Sequence, residues 1–274
     1  MPELPEVETV RQTLRQLVLN KKITDVTVLW DNIIKLPLEP EAFRQELIGQ
    51  TVQEINRKGK FLILEFDDIS MVSHLRMEGK YGVYPAAEPM KKHTHVIFQL
   101  DDGTELRYND VRKFGTMHIF KKGKEINQKP LSLLGPDPFD DSFTADYFYN
   151  RLQKTQRTIK AVLLDQSIVA GLGNIYVDET LFRAGVHPER KANLLSRKQV
   201  EKVRQAAIET IEEAIQQGGT TIRSYVNSQG QIGMFQQRLF VYGKEEEPCK
   251  YCGTPIEKIK VSNRGTHYCR NCQQ

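Results

Sequence analysis

The spacing of apolar residues changes twice along this chain. In the first stretch Leu4, Val7, Leu14, Leu17 and Val18 fall on one helical face, with Arg11, Gln12 and Arg15 outside it. That periodicity predicts an amphipathic helix from Pro5 to about Leu19. Short apolar segments with strand character follow: Ile23–Trp30, Thr51–Ile55, Phe61–Phe66, Met71–Leu75, Tyr81–Tyr84, His95–Leu100, Glu105–Tyr108 and Met117–Phe120. Asp102-Gly103 between two of them is a hairpin signal. Many short strands separated by turns predict a sandwich or barrel. Lys121–Pro138 is rich in Lys, Gly and Pro and reads as a linker. Beyond it the helical period returns over about Ala145–Lys154, Thr158–Leu164, Ile175–Ala184 and Ser196–Gln217, stopped by Gly218-Gly219. Thr220–Gln237 is polar and contains glycine, so it reads as a loop. Ile256–Val261 and Thr266–Tyr268 read as the strands of a closing hairpin, with Ser262-Asn263-Arg264-Gly265 as its turn.

Composition adds class and partner. With 274 residues, 39% hydrophobic and 27% charged, the chain can bury the cores of two domains. The start is acidic and lacks the apolar run of a secretory signal, and Phe61-Leu62-Ile63-Leu64 is cut short by Glu65, so a cytoplasmic protein is expected. The formal net charge is +4, and all of it lies in Pro248–Gln274, which holds five basic residues and one acidic. A basic tail suggests a polyanion partner; a merely solvated tail has the same charge.

Three places carry candidate chemistry. Cys249-Lys-Tyr-Cys252 and Cys269-Arg-Asn-Cys272, separated by sixteen residues, have the spacing of a zinc site. Four thiolates would close the coordination sphere, making the zinc structural, and His267 would not be needed as a ligand. The product is a metal-clamped hairpin with Arg264 at its tip, either a basic finger or a small stapled lid. At the start, loss of Met1 would give Pro2 a free secondary amine followed directly by the acid Glu3. An α-amino group titrates near pH 8 and lysine near 10.4, so its nucleophilic fraction near neutrality is about 10² larger. That arrangement suits Schiff-base chemistry. Pro5 also simply starts a helix whose dipole Glu6 and Glu8 favour; on these residues alone that is the preferred reading, although it gives no reason for Pro2-Glu3. Finally, Gly171-Leu-Gly173-Asn174 precedes an apolar-periodic helix, with Asn174 as a natural N-cap and exposed amides able to hold a phosphate. An ordinary tight turn explains it equally well. Lys160 and Arg157 are the nearby basic candidates.

Taken in order, PELPEVE at the start, NRKGKF around Lys60, SHLRMEGKY at 73–81, NDVRKFGTM at 109–117, GLGNIYVDE at 171–179 and the terminal CxxC…RGTHYCxxC resemble the bacterial formamidopyrimidine-DNA glycosylase family from first residue to last cysteine. The resemblance implies an α+β, multidomain chain. It would comprise a catalytic helix and β-sandwich over 2–130, a helix–two-turn–helix domain over 131–238 that includes a loop capping the lesion, and a zinc finger over 239–274. It implies a monomer that works on double-stranded DNA containing oxidised purines or abasic sites, the duplex lying between the first two domains. The family excises 8-oxoguanine opposite cytosine and ring-opened formamidopyrimidines, then nicks the strand. Pro2 matches its nucleophile, Glu3 its acid/base group, Lys60 the lysine linked with β-elimination and Arg264 the arginine linked with δ-elimination. Met77, Arg112 and Phe114 match the residues that fill the gap left by an everted base, an eversion that costs a few kcal/mol. His74, His95, Lys160, Asn174 and Arg264 match phosphate contacts; a satisfied strand histidine is the other reading of His74 and His95. Thr220–Tyr225, with Thr220, Ile222, Arg223 and Tyr225, matches the loop over the everted base, and Glu78 the pocket floor. One structural zinc is the only cofactor implied. Gln156 and Ser167 are uncharged where relatives carry basic residues. Two alternatives share many of these features: an endonuclease VIII-like glycosylase for oxidised pyrimidines, disfavoured by the Arg112-to-Phe114 loop with Met77, and a non-enzymatic damaged-DNA binder, which would have no use for Pro2, Glu3 and Lys60 together.

Overall fold

A computed structural model describes residues 1–220 and 233–274 and divides into two compact units. One is Met1–Ser132 with the described ends of the 218–233 segment; the other is Leu133–Gln217 with Met234–Gln274.

The first unit opens with helix α1 (Leu4–Val18), whose apolar stripe Leu4, Val7, Val10, Leu14 and Val18 is buried. Pro5 in the first turn suits the helix start, and Glu3 and Glu6 close a reciprocal capping box around it. The strands are β1 (Ile23–Val28), β2 (Ile34–Leu36), β3 (Glu54–Lys58), β4 (Phe61–Glu65), β5 (Ile69–His74), β6 (Lys80–Pro85), β7 (Thr94–Leu100), β8 (Thr104–Asn109) and β9 (Thr116–Lys121). They form a four-stranded sheet in the order β1-β7-β8-β6 and a five-stranded sheet in the order β2-β9-β5-β4-β3. Residues two apart point into one shared core: Leu62 and Leu64 from β4, Val96 and Phe98 from β7, Leu106 and Tyr108 from β8, Met117 and Ile119 from β9. This is the expected sandwich, built on the period of two.

Two elements are additional to the expectation. Helix α2 (Pro40–Leu47) buries only Phe43 and Leu47, too few apolar positions to mark a helix in sequence. Strand β2 is three residues long and pairs in parallel with β9, so no hairpin turn announces it. The strand expected over Thr51–Ile55 lies at Glu54–Lys58, where the alternation Ile55, Arg57 faces β4.

The second unit contains α3 (Ala145–Gln153), α4 (Ile159–Leu163), α5 (Asn174–Ala184) and α6 (Arg197–Gln216). Thr144, Thr158 and Ser196 each cap a helix by accepting a backbone N–H through the side chain. Asn174 departs from its expected capping role. Gly173 is the cap residue, Asn174 is the first helical residue, and its side chain reaches elsewhere. Strands β10 (Glu257–Val261) and β11 (Arg264–Tyr268) close the chain as an antiparallel hairpin. The turn is the two-residue Ser262-Asn263, both at positive φ (48° and 60°), so Arg264 begins β11 opposite Val261 and is not itself in the turn. No described helix is long and apolar enough to cross a membrane.

Candidate nucleic-acid interface and catalytic N-terminus

Pro2 and Glu3 are both buried where α1 begins. The capping box gives Glu3 a fixed place: its backbone N–H donates to Glu6 Oε2 at 2.8 Å. Further along α1 the Glu8 carboxylate accepts from Arg11 and from Arg57 of β3, fastening the helix to the sheet. Burial would raise the Glu8 carboxyl, but Arg11, Gln12 and Arg57 hold it below the usual range.

Lys60 follows Gly59 in the tight β3–β4 turn and is buried. The next residue, Phe61, pairs with His74 in the sheet, and the two rings meet edge-on at 4.4 Å. His74 Nδ1 accepts the Arg76 backbone N–H at 2.8 Å. The proton therefore sits on Nε2, leaving a fixed donor there. Burial, with Arg76 and Lys60 close by, pushes the His74 pKa down to about 3, so the ring is neutral at physiological pH.

Two loops with the same pattern, Arg76-Met77-Glu78-Gly79 and Arg112-Lys113-Phe114-Gly115, converge on one recess of about 450 Å³ lined by Met1, Arg76, Met77, Arg112 and Phe114. Both glycines lie against the Tyr108 hydroxyl: an added Cβ would come within 2.1 Å of it at Gly79 and 1.8 Å at Gly115. No larger residue fits either site. Arg76 and Lys113 adopt φ of 55° and 58°, an uncommon conformation for non-glycine residues that costs roughly 1–2 kcal/mol each. Asp110 compensates in the second loop. It is fully buried and accepts the backbone N–H groups of Arg112, Phe114 and Gly115 at 2.9–3.0 Å. His95 holds the same residue from the other side, its Nε2 lying 2.8 Å from the Asp110 carbonyl oxygen. The loop tip is thereby held outward: Phe114 is 51% exposed, with the Arg112 guanidinium 4.8 Å from its ring centroid. An exposed phenylalanine on a rigid loop beside two arginines suits insertion between stacked bases.

In the second unit Lys160 is fully buried, its Nζ 2.6 Å from Asp178 Oδ1. Asp178 also accepts the His267 backbone N–H through Oδ2 at 2.9 Å. Lys160 Nζ and Asn174 Nδ2 both donate to the Gly265 carbonyl, at 3.2 and 2.9 Å. Two of the residues expected on phosphate thus meet at one carbonyl, with a third, the exposed Arg264, adjacent to it in sequence. Glu179, the next residue of α5, accepts the backbone N–H groups of Phe240, Val241 and Tyr242 at 2.8–2.9 Å.

The four cysteine sulfurs all lie within 4.8 Å of one another, with Cys249–Cys272 at 3.8 Å and Cys252–Cys269 at 3.5 Å. Tetrahedral zinc with Zn–S bonds near 2.3 Å needs sulfurs about 3.8 Å apart, so the set fits one structural zinc. His267 stands outside the cluster, tied to Asp178 through its backbone N–H, with its ring Nδ1 3.6 Å from Asp178 Oδ2.

Thr220 is buried and donates to Glu6. Glu78 is exposed. Ile222, Arg223 and Tyr225 lie outside the described residues. Sequence reading passed over Asp110, Glu6 and Asp178 as working residues. The Glu3/Glu6 spacing of a capping box was a readable signal for one of them. For Asp178 only the folded hairpin supplies its partners.

A globular sandwich with a buried N-terminal acid, a basic recess carrying an exposed aromatic wedge and a four-cysteine finger defines a zinc-containing nucleic-acid-binding protein. Family models match three successive segments: the formamidopyrimidine-DNA glycosylase N-terminal domain over 1–117, the formamidopyrimidine-DNA glycosylase H2TH domain over 134–226, and the zinc finger found in FPG and IleRS over 246–274. The formamidopyrimidine-DNA glycosylase of Bacillus licheniformis is 61% identical over 274 residues, covering 100% of both chains. That of Bacillus subtilis is 61% identical over 273 residues, covering 100% of this chain and 99% of its own. The crystal structure of Lactococcus lactis Fpg with DNA containing N7-benzyl-Fapy-dG superposes with a TM-score of 0.92 at 42% identity, covering 100% of each chain. The complex of the Lactococcus lactis protein with abasic-site DNA gives the same score and identity over 99% of each. This chain belongs to the formamidopyrimidine-DNA glycosylase family.

Proposed function

We propose that this chain is a bifunctional glycosylase and abasic-site lyase of base excision repair, acting on oxidised purines in double-stranded bacterial DNA. The observation that carries the reading is the coincidence, in one unit, of the Pro2-Glu3 start with a basic recess lined by Met77, Arg112 and Phe114. After removal of Met1, which itself lines that recess, the Pro2 nitrogen is a secondary amine beside it. It attacks C1′ of the everted nucleoside, and the base departs with the bonding pair and a proton. Glu3 assists opening of the sugar ring. The resulting iminium acidifies the C2′ proton, Lys60 serves its removal, and the 3′ phosphate leaves by β-elimination. A second elimination, assisted by Arg264, releases the 5′ phosphate, and water returns Pro2 to the free amine. His74, His95, Lys160 and Asn174 serve DNA phosphate, His74 through its Nε2–H, His95 through the loop it holds at Asp110, and Lys160 with Asn174 through the clamped hairpin. Ile222, Arg223, Tyr225 and Glu78 serve the lesion pocket, whereas the buried Thr220 turns both its donors to Glu6. The working divisions are 2–130, 131–238 and 239–274, and DNA binding confines the protein to the nucleoid.

Borohydride trapping on a duplex with one 8-oxoguanine opposite cytosine tests the reading. A covalent adduct mapped to Pro2 by mass spectrometry is expected. Absence of an adduct from Met1-free, duplex-bound protein overturns it, and faster release of thymine glycol would move the assignment to the endonuclease VIII-like class.

A further inference from the structure

Glu6 is 3% exposed and serves two segments with one carboxylate. Oε2 accepts the Glu3 N–H at 2.8 Å. Oε1 accepts the Thr220 N–H at 2.8 Å and the Thr220 hydroxyl at 3.1 Å. The approach is close: a Cβ on Gly219, whose φ is +78°, would lie 2.6 Å from Oε1. Thr220 thus spends both its donors on a glutamate 214 residues away, and its hydroxyl points at that carboxylate.

We infer that Thr220 and Glu6 form a positioning pair for the catalytic N-terminus, a role distinct from lesion contact by Thr220. This rests on the glycosylase reading above. Two donors on Oε1 fix the plane of the carboxylate, and so the direction in which Oε2 receives Glu3. The Glu3 N–H belongs to the Pro2–Glu3 peptide, which is planar, so holding that N–H fixes the orientation in which Pro2 is presented. Attack on C1′ needs the nitrogen within a near-attack geometry, and a displacement of about 1 Å can cost about 10²-fold in rate. A carboxylate suits the task because both oxygens accept; the amide of glutamine keeps one acceptor and turns a donor toward the other N–H. Neither Glu6 nor Thr220 needs to touch the DNA.

The two possible roles of Thr220 separate on a substrate that has no base. Single-turnover borohydride trapping would be measured on two duplexes, one with 8-oxoguanine and one with an abasic site, alongside duplex affinity and thermal midpoint. Thr220→Val is expected to slow trapping by the same factor on both, about 10-fold, with Thr220→Ser restoring the rate. Glu6→Gln is expected to slow both by about 10²-fold with duplex affinity held within about threefold. A Thr220→Val defect confined to the 8-oxoguanine duplex would place the residue on the base and overturn the inference. So would wild-type trapping by both variants, or losses of rate that track losses of affinity and thermal midpoint. If wild-type protein trapped on neither duplex, the glycosylase reading itself would fail, an outcome distinct from these.

Discussion

Two buried carboxylates, one in each unit, do the same chemical work. Asp110 gathers the backbone N–H groups of Arg112, Phe114 and Gly115, and Glu179 gathers those of Phe240, Val241 and Tyr242. The difference is in sequence distance and in redundancy. Asp110 binds amides two to five residues ahead, so it shapes its own loop. Glu179 binds amides 61 to 63 residues ahead, and thereby fastens α5 to the segment entering the zinc finger. The loop at Asp110 ends in an exposed phenylalanine and has little apolar burial of its own. The finger has Glu179, the Lys160–Asp178 pair, an apolar cluster of Phe182, Val241, Ile256 and two cysteines, and the metal. An exposed tip is preorganised by one local nest; the finger is held by several long-range fasteners.

Removing zinc should have the largest effect and test the redundancy directly. Metal binding in small fingers is worth roughly 10–16 kcal/mol of folding free energy, more than the other fasteners supply. Wild-type protein should carry one zinc per chain by atomic absorption. Chelation should abolish duplex binding, and tight binding by metal-free protein would show that the remaining fasteners suffice. Affinity should also fall steeply with salt, as phosphate contacts require.

Next in size is the Lys160–Asp178 pair. Both side chains are fully buried, so Asp178→Asn leaves an ammonium without its charge partner, at about 3–5 kcal/mol. The loss should appear as a lowered thermal midpoint, and Lys160→Met with Asp178→Leu should recover most of it. Recovery of stability without recovery of strand nicking would sharpen the view that the pair serves to present the Gly265 carbonyl and Arg264.

The two nests themselves should part company. Burial raises the Glu179 carboxyl, against which its three amides and Arg183 act. Glu179→Gln and Asp110→Asn each replace an acceptor by a donor and should each cost about 1–3 kcal/mol of local pairing. For Glu179→Gln the loss should register in global thermal stability. For Asp110→Asn it should register in 8-oxoguanine excision, with the thermal midpoint nearly unchanged. Equal responses in both assays would erase the distinction drawn here.

A further test, of pH dependence, concerns His74. Its folded pKa of about 3 lies below the unfolded value near 6.5 because the neutral ring is buried near Arg76 and Lys60. The unfolded chain therefore takes up a proton that the folded one refuses. The stabilisation is complete above pH 6.5 and falls away as pH drops toward 3. His74→Asn should flatten the decline of the thermal midpoint between pH 7 and pH 4, while keeping an acceptor at the Nδ1 position for the Arg76 N–H.

Much of the framework was readable in advance. Helices α1 and α3 to α6 and most strands lie within a few residues of their apolar periods, because each buries one continuous face. The hairpin of β10 and β11 was readable too, but with Arg264 in the turn; the positive φ of Ser262 and Asn263 shifts it into the strand. Asn174 satisfied a capping preference in sequence, yet its amide donates to Gly265, 91 residues away. A local preference of about 1 kcal/mol yields to a tertiary acceptor that Asn174 shares with Lys160. The cysteine spacing gave the metal set directly, since the four ligands lie close together in the chain, two on each side of one short hairpin.

By itself the sequence determined the local matters: which faces are apolar, where helices start, the four-thiolate set, and the N-terminal Pro-Glu pair. Those depend on residues close together in the chain. The tertiary structure decided which polar groups share a partner. It brought Gly79 and Gly115 against one tyrosine hydroxyl, Lys160 and Asn174 onto one carbonyl, and Glu3 and Thr220 onto one carboxylate. The physical reason is that a buried donor or acceptor must be paired, and across a folded core the partner is chosen by space and not by sequence.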